Sequence, residues 1–246
     1  MIKEKNMIFG LRAVIEAVDA GKDIDKVFIR RELGGNLAKE LYEKIRPLEI
    51  PVQRVPLEKL NRLTMKNHQG VVAFLSAITY YDITTLIPTL YDEGKIPFIV
   101  VLDGVTDVRN FGAIARTCEC AGVNAILVPA QRSAAANADA VKTSAGALYS
   151  LPVCRAENLE NAVKFLKDSG LKIVCVSEKA DKNFTQENYN TPLALVFGAE
   201  DTGISPQIIK HADTQVSIPI FGKIQSLNVS VAAGIVIYQA VANKDK

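Results

Sequence analysis

Residues Ile96–Asp103 read Ile-Pro-Phe-Ile-Val-Val-Leu-Asp. After the proline the run is apolar without alternation, so a strand built from it could turn neither face to water. A strand buried on both faces belongs to a parallel sheet covered by helices. Gly104–Arg109 follow as a loop. Asn110 can cap a helix over Phe111–Ala121, and Gly122 can close it. Ala125–Val128 reads as the next strand, which completes one βαβ unit. That unit sets the class: an α/β protein with a mostly parallel sheet and helices on both faces.

The pattern continues downstream. Asn137–Ala147 is rich in small residues and reads as helix, and Leu159–Leu166 as an amphipathic helix. Lys172–Val176 and Leu193–Phe197 read as strands, and Ser205-Pro206 marks a helix start. A short apolar segment ends at Pro219, a loop carries Gly222, Lys223 and Gln225, and a helix begins near Ser226 as its N-cap. From Leu227 to Ala242 apolar and small residues occupy nearly every helical face, which predicts a buried helix. Ser226, Asn228 and Ser230 crowd its first turn. Buried polar groups need partners, so these three either satisfy caps and turns or meet a polar ligand.

Upstream, residues 6–20 place Ile8, Leu11, Val14, Ile15 and Val18 at helical spacing, with Gly21 as the stop. Lys26–Arg30 is a short strand, Asn36–Ile45 a helix ended by Pro47, and Val52–Val55 a strand. Pro56–Leu63 is a short helix with Pro56 in its first turn, and Gln69–Leu75 is a strand. His68-Gln69-Gly70 before that last strand is either an ordinary turn or a donor-rich loop. Residues 1–77 thus form a small α/β domain, 78–96 a linker containing one short helix, and 97–246 the larger domain.

At 246 residues the chain holds one large domain or two ordinary ones, and at 48% apolar it can build a core. No stretch approaches the roughly 18 consecutive apolar residues of a membrane helix. The charged opening segment is not a secretory leader, and both points suggest a cytoplasmic protein. Cys118, Cys120, Cys154 and Cys175 form no paired motif, and His68 and His211 are the only histidines. The cysteines read as reduced core residues, and no metal site is expected. Residues 1–77 carry 14 Lys/Arg against 10 Asp/Glu, whereas the remainder has 15 against 17. A basic front half fits contact with nucleic acid without establishing it.

Ligands of open parallel sheets bind beyond the carboxyl ends of the strands. Three unusual loops fall there: Asp103–Gly112 leading to Arg116, Gly198–Pro206, and the stretch Ser226–Ser230. Gly112 lies one turn before Arg116. Long helical side chains lean back toward the N-terminus, so Arg116 is expected over the space that Gly112 leaves, aimed at the loop and suited to a phosphate or carboxylate. A salt bridge to Glu119 or a solvated arginine is the alternative. Gly198 and Gly203 allow close backbone approach or positive φ. Of Glu200 and Asp201, one carboxylate is expected to face the pocket. The dinucleotide, P-loop and nucleophile-elbow fingerprints are all missing.

Three motifs occur in order: Asp103…Asn110-Phe-Gly-Ala…Arg116, then Leu195-Val-Phe-Gly-Ala-Glu-Asp-Thr-Gly203, then Ile218-Pro-Ile…Ser226-Leu-Asn-Val-Ser-Val-Ala232. Together they closely resemble the motifs of the SpoU family of RNA ribose 2′-O-methyltransferases, most of all the branch that methylates a guanosine of 23S ribosomal RNA. The front, Phe9-Gly-Leu-Arg-Ala-Val-Ile-Glu-Ala17 with His68-Gln69-Gly70-Val71, is similar to that branch's RNA-binding domain. Arg12 stands where the family often has histidine.

The resemblance implies a ribosomal-protein-like front domain and a knotted parallel-sheet domain, in which the C-terminal segment threads a loop as a deep trefoil. Topology rules alone would not propose a knot. It also implies a homodimer with each site completed across the interface. S-adenosylmethionine is implied at Gly198, Ile218 and Leu227, with Val196, Phe197, Gly203 and Ser226 beside it. Asn110, Arg116, Glu200, Ser226 and Asn228 are implied catalytic residues. A guanidinium is too weak an acid to serve readily as a base, so Arg116 is expected to fix a substrate phosphate that takes the proton. Asn110 is expected to orient Arg116 or the ribose, and Glu200 to set the charge of its loop. Ser226 and Asn228 are expected to bond substrate or cofactor. A transfer-RNA methyltransferase of the same family and a non-catalytic RNA-binding module are the alternatives.

Overall fold

The continuous apolar run folds as the centre of a seven-stranded sheet. In a computed structural model, which describes residues 6–244, the chain forms two compact units. One runs to Thr79 and takes in Ala135–Asn137; the other is made of the rest. The outermost residues of the expected domains, 1–5 and 245–246, lie outside the described residues.

The smaller unit contains strands β1 (Met7–Phe9), β2 (Ile24–Arg30), β3 (Val52–Val55) and β4 (Val71–Leu75), and helices α1 (Leu11–Asp19), α2 (Asn36–Ile45) and α3 (Leu57–Leu63). The sheet order is β1-β4-β2-β3, with β2 and β3 parallel and the other pairs antiparallel. The expected helix over residues 6–20 is therefore strand, turn and helix. Gly10, at φ 92°, makes the corner between β1 and α1. Strand residues of one parity (Ile8, Val27, Ile29, Val71, Ala73) pack under α1 and α2. The other parity (Met7, Phe9, Phe28, Val72, Phe74) meets the short α3 through Leu60 and Leu63. Pro56 sits at the N-cap of α3, one position earlier than expected.

The larger unit is built on a sheet ordered β11-β9-β10-β6-β7-β8-β5, with every described pairing parallel. Its strands are β5 (Tyr80–Tyr81), β6 (Phe98–Asp103), β7 (Ala125–Pro129), β8 (Val153–Ala156), β9 (Lys172–Val176), β10 (Leu193–Gly198) and β11 (Thr214–Val216). Its helices are α4 (Ile83–Asp92), α5 (Val108–Cys120), α6 (Ala138–Thr143), α7 (Leu159–Asp168), α8 (Pro206–Ile209) and α9 (Val229–Lys244). In β6, Val100 stands between Leu195 of β10 and Ile126 of β7, buried on both sides as the composition of the run requires. One face, including Ile99, Val101, Ile173 and Val196, packs on α4 and α7; α5 and α9 pack against each other, and α9 also contacts β10. The linker region supplies both α4 and the edge strand β5.

The strand order reverses between β6 and β10. From β6 the chain lays β7 and β8 outward on one side, then crosses to β9 and returns with β10 against β6. Such a reversal opens a crevice at the carboxyl ends of the two adjoining strands, here beyond Asp103 and Gly198.

Two expectations about helices are corrected. The N-cap of α5 is Asp107, not Asn110: its carboxylate accepts from the amides of Arg109 and Asn110 at 2.7 and 3.2 Å. A carboxylate is also the better partner for a helix N-terminus, and the change leaves the Asn110 side chain free for other work. The last helix starts at Val229 rather than near Ser226, and it is not buried all round. Val229, Ala233, Val236, Ile237 and Ala240 are buried, whereas Val231, Ile235 and Tyr238, spaced four and three residues apart, are 49%, 36% and 50% exposed.

The segment between β9 and β10 is fastened from within. Glu187, only 4% exposed, pairs both carboxylate oxygens, one with Lys172 and the other with Lys182, and also accepts from the amide of Asn188. Tyr189 is fully buried and donates to the carbonyl of Phe184. This segment in turn holds the strand end after β11: Ser217 donates its amide to Lys182 and accepts from that of Phe184.

Candidate active site

The three loops singled out by sequence meet in the crevice. Glu200 Oε1 accepts from Asn228 Nδ2 at 2.6 Å, from Asn110 Nδ2 at 3.3 Å and from the amide of Val229 at 3.4 Å. Asn228 Nδ2 also donates to Asn110 Oδ1 at 3.0 Å. Asn228 Oδ1 accepts from the amide and hydroxyl of Ser230, so Asn228 supplies the capping that Ser226 was expected to give. One carboxylate oxygen thus gathers the first turn of α5, the loop after β10 and the start of α9. Glu200 Oε2 makes no hydrogen bond among the described residues. Asp103, at the end of β6, adds a brace by accepting from the amide of Ser205 at 2.7 Å.

The loop after β10 is tight. Ala199 and Gly203 exchange backbone hydrogen bonds, and Gly203 has φ +68°. A Cβ on Gly198 would lie 2.1 Å from the carbonyl carbon of Gly203, a distance no side chain tolerates. Gly198 therefore serves close approach, and Gly203 the left-handed turn.

Against this loop lies a cleft open to solvent. Phe197, Gly198, Gly203, Ile218, Ser226 and Leu227 all line it. Val196 does not: side chains alternate along a strand, and its own turns into the opposite core. Sequence reasoning missed Val176, Ser177, Glu178, Ile220 and Ala232 in the lining. The rule that ligands bind beyond strand ends pointed equally to β9, the neighbour of β10, and applied there it would have found the first three. The cleft's charged side chains are the two carboxylates Glu178 and Glu200, and its walls are otherwise apolar, hydroxyl or backbone. It suits a ligand with an apolar ring and a positive centre. A second cavity shares Ala199, Glu200 and Val229 with the first and is lined further by Thr106, Asp107, Asn110 and Asp201.

Arg116 departs from its expected place. The space beside Gly112 is filled by α6: a Cβ there would meet Thr143 Cβ at 2.7 Å and the carbonyl of Ala140 at 2.9 Å. Gly112 is small to admit a helix, not an arginine. Arg116 is exposed and makes no hydrogen bond or ion pair among the described residues, to Glu119 or to Asn110. It stands six residues from Asn110, about 9 Å along the axis and a third of a turn away.

Of the cysteines, Cys118, Cys154 and Cys175 are buried and Cys120 is exposed. Burial raises the thiol of Cys118 and takes those of Cys154 and Cys175 to about 12, which suits inert core residues. His68 is buried, bonded to Asn61 and to the amide of Gly70, and Gln69 accepts from the amide of Leu11, so this turn braces its own unit.

The model of the SpoU rRNA methylase family matches residues 97–238, and that of the RNA 2′-O ribose methyltransferase substrate-binding domain matches residues 7–81. The chain belongs to the SpoU family of RNA ribose 2′-O-methyltransferases. Among SpoU relatives, it is 37% identical over 243 residues to the 23S rRNA (guanosine-2′-O-)-methyltransferase RlmB of Escherichia coli K12, covering 97% of this chain and 98% of that one. It is 30% identical over 245 residues to the putative TrmH family tRNA/rRNA methyltransferase YacO of Bacillus subtilis 168, covering 100% and 98%. The SpoU fold is shared with the methyltransferase AviRb of Streptomyces viridochromogenes, solved with AdoMet, at a TM-score of 0.61 and 24% identity over 97% of this chain and 90% of that one. Within the described residues no helix is long and apolar enough to cross a membrane.

Proposed function

We propose that this enzyme moves the methyl group of S-adenosyl-L-methionine to the ribose 2′-hydroxyl of a guanosine in 23S rRNA. The observation that carries the reading is Glu200 as the wall common to two cavities, one acidic and partly apolar, the other beside Asn110. The first would hold the cofactor: Phe197, Ile218 and Leu227 offer apolar surface to its ring, and Glu178 and Glu200 offer negative charge to its sulfonium. When bound, the cofactor supplies a methyl group on a cationic sulfur with a neutral leaving group. The second cavity would receive the acceptor nucleotide.

The chain's own residues then do three things. Asn110 and Asn228, tied to each other and to Glu200, hold the loops in register, and alignment of this kind carries much of the rate. Glu200 Oε2 is available to a ligand hydroxyl. Arg116, unpaired among the described residues and exposed, fixes a substrate phosphate that accepts the hydroxyl's proton, because a guanidinium is itself a poor base. Ser226, in the lining of the first cavity, bonds the cofactor. No metal enters this scheme.

Further readings go with this one. The chain acts as a homodimer through the apolar stripe Val231, Ile235 and Tyr238, which continues α9 away from its packed face. α5, which carries Arg116, packs on α9, so pairing there would bring Arg116 to a completed site. The segment after β11 threads the loop after β9 as a trefoil knot, and the family architecture supports this. The smaller unit, ribosomal-protein-like, holds the RNA in the cytoplasm. A tRNA target is the second reading, favoured by relatives named as tRNA/rRNA methyltransferases. Mapping of 2′-O-methyl groups in rRNA and tRNA from a deletion strain decides between them. Loss of one 23S guanosine mark is expected; loss of a tRNA mark instead would move the target.

A further inference from the structure

On one face of the sheet of the smaller unit, under α3, Met7, Phe9 and Phe74 stay partly exposed. On that face Met7 and Lys26 flank Phe74, and Phe9 and Phe28 flank Val72, by direct strand register. The three phenylalanines are each met by an ammonium group. Lys26 Nζ lies 5.7 Å from the ring centre of Phe28 and 5.8 Å from that of Phe74, Lys59 Nζ lies 4.9 Å from that of Phe28, and Lys66 Nζ lies 5.8 Å from that of Phe9. Phe28 and Phe74 pack edge to face, which fixes the rings.

An aromatic face attracts a cation without neutralising it. A carboxylate partner would cancel the charge, but among the described residues Lys26 and Lys59 make no ion pair. Their charges are thus held in place and left unspent. Arg30, two residues beyond Phe28 on the same parity of β2, has a buried Nε with no hydrogen-bond partner. Fixed, unpaired positive charges on an aromatic face match a nucleic-acid backbone, whose phosphates lie at regular spacing.

We infer that this face is a contact surface for the RNA backbone, with Lys26 and Lys59 on phosphates. The inference rests on the reading of the chain as an RNA methyltransferase and names where that RNA is gripped outside the reaction site.

The test is Lys26→Gln/Lys59→Gln in the full-length protein, with a 23S rRNA transcript as probe and a tRNA transcript beside it. Each backbone contact contributes a log–log salt slope of about 0.7–0.9. The double variant is expected to bind RNA about tenfold or more weakly at 0.1 M salt, with a slope shallower by about 1.5. It should show a raised KM for RNA, nearly unchanged kcat, and unchanged affinity for S-adenosylmethionine. Lys26→Met/Lys59→Met, which keeps the apolar stems and removes only the charge, should bind as weakly as the glutamine pair, which a merely structural role for the stems would not predict. RNA affinity within twofold of the parent and an unchanged slope would overturn the inference while leaving the methyltransferase reading intact. A parent protein that methylates neither transcript, nor rRNA extracted from a deletion strain, would instead overturn that reading.

Discussion

Asn228 donates to Glu200 at 2.6 Å although 28 residues separate them, and the same carboxylate oxygen receives Asn110 from 90 residues away. The bond joins the start of α9 to the loop after β10, which are the two sides of the candidate cofactor cleft. Glu200 is thereby a structural junction as well as a charge. Its roles in geometry and in chemistry should be separable by substitution.

Glu200→Gln keeps the size and one acceptor oxygen but loses the charge. Glu200→Ala leaves Asn110, Asn228 and the Val229 amide without their acceptor. A misplacement of about 1 Å at a reaction centre costs on the order of 10²-fold in rate. We expect kcat to fall by about that factor in the alanine variant and by less in the glutamine variant. Steady-state kinetics with calorimetric cofactor binding checks this; equal, near-parental kcat in both would refute the junction.

Arg116→Ala should abolish methyl transfer while leaving cofactor affinity within about twofold. Arg116→Lys should restore little, since only the planar guanidinium grips a phosphate with two parallel bonds. Single-turnover assays read the chemistry directly. Persistent turnover in the alanine variant would remove Arg116 from the mechanism.

Gly198→Ala drives a methyl group into the backbone of Gly203, 2.1 Å away. The loop must open, and overpacking of this kind costs about 1–3 kcal/mol. A lowered Tm together with lost S-adenosylmethionine binding is the expected result. A variant with parental binding would show that the turn does not shape the cleft.

Glu187 gives a pH-dependent prediction. Burial alone would raise its carboxyl, but Lys172, Lys182 and the amide of Asn188 outweigh that and bring it down to about 2 from an ordinary 4.5. A carboxyl depressed in the folded state stabilises above its unfolded pKa, and that contribution fades as pH falls from about 4.5 to 2. The shift corresponds to about 3 kcal/mol. Glu187→Gln should therefore be less stable than the parent at pH 7, with the gap closing towards pH 2. Denaturant titrations across that range measure it; a pH-independent gap would contradict the pairing.

Ile235→Glu places a charge in the exposed stripe of α9. If two chains pair there, the variant should sediment as a monomer and lose activity while its circular dichroism stays parental. Sedimentation of the parent itself as a monomer would remove the dimer reading.

The sheet was legible wherever a strand was long and buried on both faces, as β6 and β10 are. β1, β5, β8 and β11, of two to four residues, were not read as strands, although β3, as short as β8, was. Convergence of the three loops could be anticipated from strand ends, but the partners could not. Asp107 and Asn110 are both good caps, and only the coordinates show that Asp107 takes the cap and releases Asn110 to Glu200. Gly112 pointed to a close approach, yet a glycine does not say which neighbour fills its space. Likewise the apolar α9 did not reveal that one of its stripes lacks a cover.

The amides of Asn110 and Asn228 lie 118 residues apart in the chain. During synthesis, then, the β-sheet can be laid down while the junction is still missing its C-terminal member. A nascent chain that has not yet reached Asn228 lacks one side of the cleft. Closing the proposed site therefore waits on the last helix of the chain.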